Sequence, residues 1–116
     1  MLTAALILFA VAALGGVVLA SLHITRKGAP IGLACLHGVL AVTGVVLLLV
    51  AMSQGSGSTG LTAALVLFLI AAVGGLVLFI THLRARPLPV PLILVHGLVA
   101  VAAFLTLLVT VVRHTA

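Results

Sequence analysis

The sequence predicts an all-α integral membrane protein, a four-helix up-down bundle that forms a single transmembrane domain over residues 1–116. Three observations support this prediction. Apolar residues make up 66% of the chain and charged residues 4%, which is more apolar surface than a domain of this length can bury. Four apolar runs each approach or exceed the ~20 residues needed to cross a bilayer. The second half of the chain also repeats the first.

The four runs are expected to be four membrane-spanning helices. They occupy residues 3–24, 31–52, 61–82 and 91–112. Repeat one, residues 2–53, aligns without a gap to repeat two, residues 61–112, and nearly half of the aligned positions are identical. Each repeat holds two spans, so both repeats enter the membrane in the same direction, related by an axis along the membrane normal.

The connections predict two helical hairpins in tandem. The stretch from Thr25 to Gly28 is short and polar, and Pro30 suits the first turn of a helix, where its missing N–H has no partner to lose. The equivalent proline-rich stretch, residues 86–91, is expected to be extended. Residues 54–60 are rich in glycine and serine and form the predicted flexible linker. Short connections favour an up-down bundle, with helices one and three diagonal and helices two and four diagonal.

Basic residues lie outside the apolar runs, and the chain has no acidic residue. Arg26 and Lys27 follow the first run, Arg84 and Arg86 follow the third, and Arg113 lies toward the opposite end. Short loops with an excess of basic residues face the cytoplasm. We therefore expect cytoplasmic loops and external termini, in a membrane such as the bacterial inner membrane. The lipid bilayer is a sufficient partner for these charges.

Two pairs of histidines are related by the repeat. His37 and His96 lie about two turns, roughly 10 Å, inside their helices. His23 and His82 lie near helix ends, at what we expect to be nearly the same level of the bundle. Ionisable side chains inside a membrane are costly and usually have a function.

Small residues accompany each histidine on its helix face. Gly16 lies on the face that includes His23, and Gly75 on the face that includes His82. Small side chains allow helices to approach closely. They also clear space for a flat macrocycle, and both interpretations stay open.

Imidazole is a ligand for haem iron, zinc, copper and nickel. Zinc and nickel sites commonly recruit carboxylates or thiolates, and this chain has one cysteine and no carboxylate side chain. Two imidazoles that face each other across a bundle suit a six-coordinate haem iron. With one cysteine the chain lacks a covalent haem attachment motif, so the expected cofactor is non-covalent haem b. Its propionates would then be partners for Arg26 and Arg84.

The residues His37-Gly38 and His96-Gly97, with the small-residue stripes and the basic loops, resemble the sites of membrane b-type cytochromes as a class. This resemblance covers the architecture of the whole chain. It implies a haem b held between histidines on separate helices. It also implies a redox partner protein or quinone.

Depth and diagonal placement favour His37 and His96 as the axial ligands of the iron. His23 and His82 are the second choice, either as ligands of a further haem or as hydrogen-bond partners of propionates. Because bis-histidine ligation leaves no open position on the iron, we expect an electron carrier rather than an enzyme.

Two other functions stay open. A cofactor-free structural or assembly subunit would need only close packing, with each histidine hydrogen-bonded to a neighbouring helix. A small transporter is the other, since the size resembles the small multidrug resistance proteins, although those use a membrane-embedded glutamate that is absent here. A homo-oligomer is compatible with the sequence, and no nucleic-acid partner is expected.

Overall fold

Four α-helices make up the computed structural model, which describes residues 1–115. Their bounds are Leu2–Ile24 for α1, Ile31–Ala51 for α2, Thr59–Leu83 for α3 and Val90–Thr115 for α4. Within residues 1–115 there is no β-strand. Each of the four helices is long and apolar enough to cross a membrane, so the prediction of four spans is confirmed.

The four helices form an elongated bundle of 43 × 21 × 19 Å. Its length matches a bilayer with its head groups, about 40–45 Å. Helix α1 packs along α2, and α3 along α4, more extensively than α1 packs on α4 or α2 on α3. Large apolar side chains such as Leu14, Val17 and Leu98 are exposed on the outer surface. This surface is compatible with contact to lipid chains.

The apolar core lies in the half of the bundle next to the linker. Its buried members are Ala5, Phe9, Leu48, Leu61, Ala64, Phe68, Ala103, Leu107 and Val111. The rings of Phe9 and Phe68 stack in parallel at its centre, with their centroids 3.7 Å apart. Gly44 leaves room for these rings. A Cβ at this position would lie only 2.9 Å from the ring of Phe9. Dense apolar packing in this half leaves the histidines to the other half.

Hydroxyl groups within the helices bond to their own backbone. The hydroxyl of Thr43 donates to the carbonyl one turn earlier at 2.7 Å. The same bond is made by Ser21, Thr81, Thr106 and Thr110. These bonds satisfy the hydroxyls without a partner helix. In the described part of the chain, the side-chain hydrogen bonds that join two helices therefore come from histidines.

The connection between α2 and α3 contains more helix than the predicted linker. Helix α2 continues as a π-helical turn over Met52–Ser56. The hydroxyl of Ser58 accepts a hydrogen bond from the N–H of Leu61 at 3.2 Å. Serine is a favoured residue at a helix N-terminus because it satisfies such an amide. Helix α3 consequently begins at Thr59, before the predicted start at residue 61.

Both short connections begin with the same left-handed turn. Arg26 and Ala85 have φ angles of 56° and 53°. The amides of Arg26 and Lys27 bond to carbonyls in the last turn of α1, and Ala85 and Arg86 do the same at the end of α3. This Schellman arrangement usually has glycine at the left-handed position. It closes each helix and places the basic residues just beyond it.

Candidate functional site

His37 and His96 each bond to the backbone of a neighbouring helix. Nδ1 of His37 lies 2.7 Å from the carbonyl oxygen of Ala12 in α1, and Nδ1 of His96 lies 2.7 Å from that of Ala71 in α3. A carbonyl oxygen can only accept, so Nδ1 must be the protonated donor. In a neutral ring Nε2 then has no proton and keeps a free electron pair, the state in which imidazole binds metals.

Gly16 and Gly75 lie against these two rings. A Cβ at Gly16 would be 3.0 Å from Cε1 of His37, and a Cβ at Gly75 would be 2.9 Å from Cε1 of His96. The close packing predicted at these glycines is therefore present, and the neighbour is an imidazole ring. In both cases the glycine belongs to the helix whose carbonyl accepts the bond.

The carbonyl groups of Ala12 and Ala71 are site components that the sequence analysis did not predict. Each is one turn before a glycine that faces a histidine, Gly16 or Gly75. The spacing of an alanine and a glycine four residues apart, present in both repeats, is the signal that could have identified them. This spacing identifies a site only when a histidine of a different helix packs against it.

The rings of His37 and His96 lie beside each other in a T-shaped arrangement. Their centroids are 6.3 Å apart and their planes are inclined by 81°. An imidazole nitrogen binds a metal ion at about 2 Å, so two rings on opposite sides of one ion have centroids roughly 6 Å apart. The observed separation corresponds to that distance.

The Nε2 atoms of His37 and His96 make no hydrogen bond within the described residues. In the described part of the chain, no buried side-chain nitrogen or oxygen lacks a hydrogen-bond partner. Both rings are only partly buried, and their hydrogen bonds are made by Nδ1. Each Nε2 must therefore be reachable by a water-sized molecule. The residues that follow, Gly38 and Gly97, have nothing within 4 Å of their Cβ positions, so the flank of each histidine is open as well.

Comparison with other proteins gives no assignment for this site. No protein-family model, no curated protein and no solved structure matches the chain. The function has to be inferred from the side chains themselves.

The donor set is compatible with haem b. Residues 1–115 contain no group of three or more side chains that could hold a metal ion, so a bare zinc ion would lack its usual four ligands. Haem iron receives its other ligands from the macrocycle and needs only two axial imidazoles. His37 and His96 also belong to different helix pairs, between which the packing is less extensive than within them.

His23 and His82 form a second, shallower contact at the ends of α1 and α3. Their rings are perpendicular, with centroids 5.0 Å apart, and both are partly exposed. The expectation that both histidine pairs share one level is wrong. His37 packs on Gly16, and His23 lies two turns further along α1, roughly 10 Å away. The sequence does not contain the shift of one helix along another, on which the relative depth of two histidines depends.

Arg26 and Arg84 lie next to the shallower histidines. Both side chains are exposed, Arg26 in the left-handed turn after α1 and Arg84 at the end of α3. The chain has no acidic side chain with which either could pair. Both guanidinium groups are therefore available to an anionic ligand or lipid head group.

Two surface depressions lie at the linker end of the bundle. One is lined by residues that include Met1, Ala51 and Gln54, and the other by residues of the first turns of α3. Neither is lined by a histidine.

Proposed function

We propose that this chain is a membrane b-type cytochrome that holds haem b non-covalently between His37 and His96. The observation that supports this most is the pair of neighbouring imidazoles, each with Nδ1 bonded to a carbonyl, which in a neutral ring leaves the electron pair of Nε2 for a ligand. Haem b would supply reversible one-electron exchange. The carbonyl bonds of Ala12 and Ala71 would hold each ring in place and raise the basicity of Nε2.

We also propose that the fold is an up-down bundle of two tandem hairpins, α1–α2 and α3–α4. Contacts within and between the halves support it. Met1 and Ser56 line one depression, and Gly60 lies against Thr110, so the start of α1 and the last turns of α4 lie near the linker. The contact between the rings of His23 and His82 brings the ends of α1 and α3 together at the other end.

The shallower residues are proposed as partners of the propionates. His23, His82, Arg26 and Arg84 lie toward the short connections, about 10 Å from the deeper pair along the helices. They would supply hydrogen-bond donors and positive charge to two carboxylates in a chain that has no acidic side chain. Ligation of a second iron by His23 and His82 is the alternative.

The proposed setting is a bacterial inner membrane. The basic connections would face the cytoplasm, and both termini and the linker would lie outside. All candidate ligands then lie toward the cytoplasmic face, so electrons would enter and leave on that side. The proposed partner is a quinone or a redox protein. Since two protein nitrogens would fill both axial positions, we propose electron transfer rather than catalysis at the iron.

A cofactor-free structural subunit is the second candidate, and one observation favours it. The bonds from His37 to Ala12 and from His96 to Ala71 tie each helix pair together without any ligand. They account for Nδ1 of each ring and leave Nε2 without a role. This candidate predicts that the purified protein is colourless.

The absorption spectrum of the purified protein separates the two candidates. The protein is produced in cells that make haem, purified in detergent, and measured oxidised and reduced, with haem counted per chain. We expect a low-spin spectrum and one haem per chain. A colourless protein that also fails to bind added haemin would reject the cytochrome and support the structural subunit.

A further inference from the structure

We infer that Gly16 and Gly75 are positioning residues that select the tautomer of His37 and His96. This inference deepens the proposed function. Only its consequence for iron binding rests on that function. The tautomer itself is a property of the protein without haem. It can therefore be measured separately.

The carbonyl groups of Ala12 and Ala71 each have two lone pairs. The carbonyl of Ala12 points along α1 toward residue 16, whose amide it accepts one turn later. An oxygen has a second lone pair, and this is the one that Nδ1 of His37 can reach. A side chain at position 16 would stand beside that lone pair, since helical Cβ atoms tilt toward the N-terminus.

The distances show how little room the ring has. A Cβ at Gly16 would lie 3.0 Å from Cε1 and 3.4 Å from Nδ1 of His37. A Cβ at Gly75 would lie 2.9 Å from Cε1 and 3.5 Å from Nδ1 of His96. Nε2 is also near, at 3.8 Å from the Cβ position of Gly16 in His37 and 3.6 Å from that of Gly75 in His96, so the glycine lies against the edge formed by Nδ1, Cε1 and Nε2. Alanine at either position would therefore push away the edge that makes the hydrogen bond.

The preceding glycines have a different environment. A Cβ at Gly15 would meet only Cβ of His37 at 4.0 Å, and a Cβ at Gly74 would lie 3.6 Å from Cβ of His96. These are ordinary van der Waals distances. Each Gly-Gly pair therefore contains one residue at which a methyl group fits and one at which it would force the imidazole ring to shift. The first glycine of each pair is a matched control for the second.

The hydrogen bond of Nδ1 determines which ring nitrogen has a free electron pair. If Nδ1 loses its acceptor, the tautomer with the proton on Nε2 is no longer disfavoured. In that tautomer the electron pair lies on Nδ1, close to the backbone, and Nε2 cannot bind a metal. Gly16 and Gly75 would thus determine which nitrogen of each histidine has the electron pair that a metal needs.

The test is nitrogen NMR of the haem-free protein with ¹⁵N-labelled histidine rings, because the two tautomers give distinct shifts. His37→Gln and His96→Gln assign the signals. We expect the Nδ1–H tautomer for both rings in the native protein. Gly16→Ala should shift the His37 signals toward the Nε2–H tautomer and leave His96 unchanged, and Gly75→Ala should do the converse. Gly15→Ala and Gly74→Ala should leave both rings as they are.

Three results would overturn the inference. These are an Nε2–H tautomer in the native protein, an unchanged tautomer in Gly16→Ala or Gly75→Ala, and an equal change in the matched controls. If one alanine variant does not fold, the inference is still tested by the native spectrum and by the alanine variant in the other helix pair. The native protein could show the Nδ1–H tautomer, with the expected changes in the variants, and still never bind haem. That result would support the inference and reject the cytochrome.

Discussion

At the level of single residues, each histidine of the deeper pair uses one of its two nitrogens in the packing of the helices. Nδ1 of His37 and His96 bonds to a carbonyl in the neighbouring helix, while Nε2 makes no hydrogen bond within the described residues. The proposed function gives this second nitrogen a ligand. Leaving a ring nitrogen accessible inside a membrane segment is costly unless a ligand uses it.

The glycine at position 44 gives a prediction for the apolar core. Replacing Gly44 by Ala would place Cβ 2.9 Å from the ring of Phe9, which stacks on Phe68 and has little freedom to move. We expect a loss of about 1–3 kcal/mol in the free energy of unfolding, the usual cost of overpacking. Thermal unfolding in detergent, followed by circular dichroism, measures it.

The control for this change is Gly38→Ala in the same helix. Nothing lies within 4 Å of its Cβ position. Alanine favours helix over glycine, so this variant should be neutral or slightly more stable. Equal unfolding temperatures for the two variants would mean that the Phe9 and Phe68 stack does not fill the core as described.

At the level of helices, hydropathy and residue chemistry predict most of the fold. The four predicted spans agree with α1–α4 except at a few end residues, where Ser58 starts α3 early and α2 continues over Met52–Ser56. The histidines, their neighbouring glycines and the basic connections were also found from the sequence. The carbonyl partners were not, because they depend on how α2 and α4 are rotated and shifted against α1 and α3. The residue pattern of one helix does not predict its rotation or shift against another helix.

The left-handed turn after α3 gives a prediction for a helix end. Ala85 has φ 53°, a conformation that costs an L-residue about 1–2 kcal/mol and glycine almost nothing. Ala85→Gly should therefore raise the free energy of unfolding by roughly 1 kcal/mol. Ala13→Gly, at an exposed position within α1, is the control and should lower it by about 0.5–1 kcal/mol. Destabilisation by Ala85→Gly would contradict the described turn.

At the level of the whole molecule, the positive charges distinguish the two ends of the bundle. Four of the five basic residues lie in the two short connections. In a bilayer this asymmetry would set the orientation and attract anionic lipid to the end at which His23 and His82 meet. The apolar core and the histidines occupy opposite halves of the same bundle.

Labelling of introduced cysteines tests the orientation. Native Cys35 is exposed and is first replaced by Ala. In that background, Gln54→Cys in the linker should react with a membrane-impermeant reagent added to intact cells. Lys27→Cys in the first connection should react only after lysis. The reverse pattern would place the basic connections outside and contradict the proposed topology.

The central claim is that His37 and His96 are the axial ligands of one haem b. The most direct measurement is the absorption spectrum of the purified protein with both deeper histidines replaced by Ala, compared with a variant that has both shallower ones, His23 and His82, replaced by Ala. We predict that the first variant loses the low-spin spectrum, while the second keeps it with weaker haem retention. Loss of the spectrum in the second variant and its persistence in the first would contradict the assignment.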